Sequence, residues 1–85
     1  MASYRLLIKA SAARELELLP RKDMARVARR IQDLAAEPRP QGNDKLAGLE
    51  LFRIRQGNYR ILYTISDPRK TVTIIKIGHR RDVYR

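Results

Sequence analysis

Eighty-five residues with 19 Lys and Arg against 9 Asp and Glu give a net charge of +10, a balance that suits an anionic partner. The absence of cysteine excludes disulfide frameworks, thiolate zinc sites and cysteine nucleophiles. The length predicts one small domain over residues 1–85 with a limited core. No stretch has the length of a membrane span and the N-terminal apolar run Leu6-Leu7-Ile8 ends at Lys9, so no signal peptide is read and a cytoplasmic location is expected. The charge is uneven: residues 1–50 carry 10 basic and 7 acidic side chains, net +3, and residues 51–85 carry 9 and 2, net +7.

Taken in order, Tyr4 to Ile8 alternates and predicts a first strand. Ser11 is the expected N-cap of a short helix through Leu19, with Glu15 near the positive end of its dipole and Pro20 as its stop. A second helix is expected over Arg21 to about Ala36. There Met24, Val27, Ala28, Ile31, Leu34 and Ala35 recur at helical spacing, opposite Arg26, Arg29, Arg30 and Asp33. Those arginines read as a solvated face with a minor share in any nucleic-acid contact. The short link makes the two helices a hairpin. Glu37 to Asp44, rich in Pro, Gly and Asn, reads as a loop, and Lys45 to Gly48 leads out of it.

The strongest local signal is Gly57-Asn58 between two alternating runs, which predicts a two-residue hairpin. Its register sets Arg55 opposite Arg60, Ile54 opposite Ile61, Arg53 opposite Leu62 and Phe52 opposite Tyr63. Side chains alternate across a strand, so Phe52, Ile54, Ile61 and Tyr63 share a core face while Arg53, Arg55 and Arg60 gather on the other. Facing like charges are unfavourable. Such a face either tolerates a solvated cost or keeps its cations for an anion, and three arginines in so basic a chain favour the second. Ser66-Asp67-Pro68 marks another turn. The β-branched run Thr71 to Ile77 predicts a strand covered on both sides, and Gly78 to Arg85 is expected to leave the sheet. The fold class is therefore α+β: a strand, a helical hairpin, then a three-stranded antiparallel meander, in one twisted sheet with the helices on one face.

No phosphate-cradling glycine loop, helix-borne His pair or acidic metal cluster is present in the sequence, so neither metal nor cofactor is expected. What remains is a cationic surface of Arg53, Arg55, Arg60, Lys76, Arg80 and Arg81, with His79 and Tyr84 as nearby proton-moving groups. That inventory suits metal-free RNA cleavage, in which the 2′-hydroxyl attacks its own phosphate and cations stabilise the crowded phosphorane. Arginine grips phosphate well and transfers protons poorly, its pKa lying above about 12. Phe52, Tyr59, Tyr63 and Tyr4 read as packing residues, whereas Tyr84 on its basic tail favours base stacking.

The runs Lys45-Leu46-Ala47-Gly48-Leu49, Phe52-Arg53-Ile54-Arg55, Tyr59-Arg60-Ile61-Leu62-Tyr63 and Ile77-Gly78-His79-Arg80-Arg81-Asp82-Val83-Tyr84, with Ala13-Arg14-Glu15-Leu16, resemble the RelE/ParE superfamily of bacterial toxins. One branch of that superfamily cleaves messenger RNA in the ribosomal decoding site and the other poisons DNA gyrase. The resemblance implies that Arg60 and Arg80 stabilise phosphate and that Tyr84 orients the RNA. It sets Arg53 and Arg55 where the RelE branch often has lysines, a change that makes them clamps rather than bases. His79, with an unperturbed pKa near 6.5, is then either a general base or a cap on the strand end. Lys76 and Arg81 complete the phosphate-binding set, although Lys76 also follows the strand pattern and reads equally as solvated. The leading expectation is a ribosome-dependent messenger-RNA endonuclease neutralised by a cognate antitoxin with an acidic or amphipathic segment, with ribosome and messenger RNA as its other partners and no membrane. The alternatives are a gyrase poison without nuclease activity and a general nucleic-acid-binding module.

Overall fold

The computed structural model describes residues 3–46, 48 and 50–82. Its elements in chain order are β1 (Arg5–Ile8), α1 (Ala10–Glu17), α2 (Arg21–Asp33), β2 (Asp44–Lys45), β3 (Phe52–Gln56), β4 (Tyr59–Ser66) and β5 (Thr71–His79). The strands form one sheet in the order β1-β5-β4-β3-β2. β1 runs parallel to β5, and the remaining neighbours are antiparallel. A parallel pair needs a long crossover, and the helical hairpin supplies the start of it. The expected α+β architecture is present, with one strand more than the sequence pattern predicts.

The β3–β4 hairpin has the predicted register, from Phe52 opposite Tyr63 to Gln56 opposite Tyr59. Gly57 sits at φ 60°, the conformation a two-residue turn demands of its first central residue. Ile54, Ile61 and Tyr63 on one face are wholly buried, and they join Val72, Ile74 and Ile77 of β5 and Ala12, Val27 and Ile31 of the helices in a single core. Phe52 stacks on Tyr63 with ring centroids 5.8 Å apart. The Tyr63 hydroxyl, buried among apolar groups, donates to the Pro38 carbonyl at 2.7 Å, which removes the cost of leaving it unpaired.

Several expectations are corrected. The first helix begins at Ala10 with Lys9 as its cap residue and no side-chain cap, and it ends at Glu17. Ser11 thus lies inside it. The start is fixed by tertiary contact: the Lys9 amide bonds the Ile74 carbonyl at 2.9 Å, while Ala13 N–H bonds the Lys9 carbonyl. Glu15 does not serve the helix dipole; its carboxylate accepts the Ile77 amide of β5 at 3.0 Å. α2 stops at Asp33, where the last turn tightens through bonds from Leu34 and Ala35 to carbonyls three residues back.

The last corrections concern β5. It runs to His79, so Gly78 and His79 belong to the sheet, paired with Arg60 and Tyr59. Nor is it a strand covered on both sides. Its pairing with β4 slips between Leu62, opposite Lys76, and Tyr63, opposite Ile74, leaving Ile75 as an extra residue. Such a bulge shifts the alternation by one, which lets Val72, Ile74 and Ile77 reach the same core. Among the described residues no helix lies on the second face of the sheet.

Candidate functional site

The uncovered face follows from the alternation of β3, β4 and β5. With Ile54, Ile61 and Ile77 turned to the core, Arg53 and Arg55, Arg60 and Leu62, and Lys76 and Gly78 turn the other way. The pairing sets Arg53, Leu62 and Lys76 in one row across the sheet and Arg55, Arg60 and Gly78 in the next. Leu62 is only 5% exposed yet lies outside the core cluster; Arg53 and Lys76 stand on either side of it in the same row, where their apolar stems can cover it. Four cationic side chains, Arg53, Arg55, Arg60 and Lys76, thus surround a small apolar floor, and the position next to Arg60 on β5, Gly78, has no side chain to fill it.

β2 adds a residue that the sequence pattern missed. Asp44 pairs directly with Arg53 across the sheet, so both side chains leave the same face. Its carboxylate lies 2.6 Å from the Arg53 guanidinium and 3.9 Å from that of Arg55. The hydrogen bond from Arg53, and then the charges of Arg53 and Arg55, hold the Asp44 carboxyl below its ordinary range. It is thereby a poor proton acceptor near neutral pH. A two-residue strand has no periodicity to betray it; the signal was a carboxylate nine residues ahead of an arginine, too common to single out.

Arg55 and Arg60 face one another, and their guanidiniums are turned to different partners. Arg60 donates to the carbonyls of Gly57 at 3.2 Å and Tyr59 at 3.1 Å, which ties it to the hairpin turn. Arg80 stands beside the same turn, because its amide bonds the Asn58 carbonyl at 2.8 Å. Its side chain is exposed, as is that of Arg81. The hairpin tip therefore gathers Arg55, Arg60 and Arg80 from three segments.

His79 is placed apart from them. It shares the helix-facing side of β5 with Ile77, and it meets Tyr59 edge-on with ring centroids 6.0 Å apart. Its Nδ1 accepts the Arg81 amide at 3.2 Å, so one ring nitrogen is committed to the turn that follows the strand. Tyr59 in turn donates to Asp23 of α2 at 3.3 Å, and burial, followed by the Asp23 charge, raises its hydroxyl pKa. Tyr84 lies outside the described residues. Among the described residues no three His, Cys, Asp or Glu side chains cluster as a metal site. Chemically, the uncovered face is cationic and suited to anions, and Arg53 is fixed in orientation by Asp44.

Residues 6–84 match the family described as ParE toxin of type II toxin-antitoxin system, parDE. The chain is 38% identical to Toxin RelG of Mycobacterium tuberculosis over 86 residues, which span 96% of this chain and 97% of that toxin. It is 37% identical to Toxin RelE of the same organism, over 96% of this chain and 87% of that one. Among solved structures, a chain of the toxin-antitoxin complex RelBE2 from Mycobacterium tuberculosis superposes with a TM-score of 0.83 at 33% identity, covering 92% of this chain and 99% of that chain. A chain of the archaeal RelE-RelB complex from Pyrococcus horikoshii gives 0.83 at 29% identity, over 98% and 100%. The chain belongs to the RelE/ParE superfamily of toxins. Within it, the chain is a RelE-like toxin of a type II toxin-antitoxin module.

Proposed function

We propose that this toxin is a ribosome-dependent messenger-RNA endonuclease that acts without metal or cofactor and inhibits translation. The observation that carries the reading is the uncovered sheet face. It concentrates Arg53, Arg55, Arg60 and Lys76 over a shallow apolar floor, with Arg53 clamped by Asp44 and Arg80 brought to the tip. In the reaction the 2′-oxygen bonds to the adjacent phosphorus and the 5′-oxygen leaves. The 2′-proton passes to a base and the leaving oxygen gains a proton. Arg60 and Arg80 stabilise the charge on the phosphorane oxygens, and Arg53, Arg55, Lys76 and Arg81 bind the flanking phosphates. Tyr84 orients a base by stacking.

The arginine pair cannot serve as the base at neutral pH, and Asp44 is held ionised by its partners. Proton transfer is accordingly assigned to Tyr84, the RNA and the ribosome. His79 takes the second role that the sequence left open for it: it shapes the turn carrying Arg80 and Arg81 rather than meeting the phosphate. A cognate antitoxin restrains the toxin, as the complexes of the similar RelE proteins with RelB suggest; a chain of net charge +10 favours an acidic segment for that role. The cytoplasm, where translation occurs, is its place of action.

A gyrase-poisoning toxin is the second reading, and two observations favour it: the matched family carries the ParE description, and arginines stand where a nuclease is better served by lysines. Primer extension across abundant messages shortly after induction separates the two, with a gyrase-inhibited culture alongside. Cuts confined to translated regions and phased with the reading frame are expected. Intact messages with trapped DNA breaks during growth arrest assign the protein to the gyrase branch.

A further inference from the structure

On the helix side of the same hairpin tip, Arg26, Arg29 and Arg30 of α2, with Ala25 and Gln56, line a groove of about 400 Å³. Arg29 is paired with Asp33 at 3.5 Å. Arg26 and Arg30 form no ion pair among the described residues. They stand one turn apart on the helix, a spacing at which like charges weaken it by a few tenths of a kcal/mol. Gln56 belongs to β3 and follows Arg55 directly, so the two side chains leave opposite faces of one strand. The groove and the arginine face are thus separated by a single hairpin tip, whose turn carries Gly57 and so offers little bulk.

We propose that this groove is a second phosphodiester-binding site, occupied by the continuation of the same RNA strand that lies on the uncovered face. The inference rests on the RNA-cleavage reading. Three guanidiniums on one helical face offer bidentate contacts to consecutive phosphates, and the Gln56 amide offers both a donor and an acceptor to a sugar or base edge. The lining holds no large apolar side chain, only Ala25. A protein segment docking as an amphipathic helix or strand needs apolar pockets; a nucleic-acid backbone needs none.

The test is binding of labelled oligouridylates to the purified toxin across a potassium chloride series, without ribosomes, using an RNA of about 4 nucleotides and one of about 16. The variant is Arg26→Gln with Arg30→Gln, which keeps helix propensity and relieves the like-charge pair; circular dichroism verifies that it folds. Each phosphate contact contributes about 0.7 to the slope of log affinity against log salt, so the double variant should lower the slope by about 1.4 on the long RNA. The short RNA, seated on the uncovered face, should bind it as it binds the parent. Arg55→Gln should weaken both.

An unchanged slope on the long RNA overturns the proposal. Equal losses on both lengths overturn it too, because the groove would then bind a separate strand. Unchanged RNA binding together with weaker competition by poly-glutamate makes the groove a seat for an acidic protein segment, again against the proposal. The assay measures binding rather than cleavage, so intact messages in the primer-extension experiment would sink the nuclease reading while the salt slopes still decide for or against the groove.

Discussion

The two faces of one hairpin show how a short chain divides stability from function. On the helix side, Ile54, Ile61 and Tyr63 are wholly buried and locked into a core that spans both helices and β5. One residue along the pleat, Arg53, Arg55 and Arg60 leave the same backbone on the face that carries no described helix. The core face is held by burial, which scales with apolar area at about 25 cal/mol per Å². The other face is held more weakly: Arg55 meets Asp44 as a largely exposed pair at 3.9 Å, a kind that contributes at most about 1 kcal/mol, and the half-buried Arg53–Asp44 pair at 2.6 Å joins β2 to β3. Arg55 therefore contributes little to the fold, and the proposed function gives it its use.

The comparison breaks most visibly on the core side. Ile61→Ala should destabilise the fold by roughly 2–5 kcal/mol, the usual cost of a buried isoleucine truncation. For a domain of this size that is a large share of the whole, and urea denaturation should show the midpoint collapse. Growth inhibition should be lost with it. Directly beside it in sequence, Arg60→Ala should do the opposite: a shift in unfolding free energy under about 1 kcal/mol, with a fall in message cleavage of roughly 10²–10³-fold, the scale for losing one donor to a charged transition state. If Arg60→Ala unfolds the protein, or keeps full cleavage, the division of labour between the faces is wrong.

How much of this was legible depended on periodicity. The hairpin was read to the residue because its two runs alternate cleanly on either side of a glycine that the turn requires. The same logic failed on β5: Val72, Ile74 and Ile77 break the period of two, and only the pairing with β4 reveals Ile75 as the extra residue. β2 was invisible because two residues hold no pattern, and with it went Asp44, the carboxylate that fixes Arg53. His79 was grouped with the arginines because it adjoins Arg80 in sequence. Once Gly78 and His79 are in the strand, alternation sends it to the other side. Local pattern thus placed Arg53, Arg55 and Arg60 on one face of the hairpin, while their partners, and the face each neighbour occupies, came from pairings between distant segments.

The smallest expected effect concerns a staple at the far end of β4. Asp67 accepts the Tyr4 hydroxyl at 2.6 Å and both terminal nitrogens of Arg39 at 3.2 and 3.0 Å, joining the start of β1, the loop after α2 and the β4–β5 turn. The bond from Arg39, followed by that from Tyr4, holds the Asp67 carboxyl below its usual range. A carboxyl whose folded pKa lies below its unfolded value binds fewer protons when folded. Its contribution is therefore complete above the unfolded pKa of about 3.9 and disappears as pH falls through the lower folded value. Asp67→Asn should lower the melting temperature slightly at pH 7 and leave it nearly unchanged at the acid end, so that the parent and variant curves converge once the pH falls below the lowered folded pKa. Both groups are half exposed, which keeps the separation small, and added salt should narrow it further. Curves that stay parallel down to acid would mean that the staple acts through packing of Tyr4 and Arg39 rather than through the carboxylate charge. The uncovered face, which shares no residue with this network, should keep its RNA affinity in the variant at neutral pH.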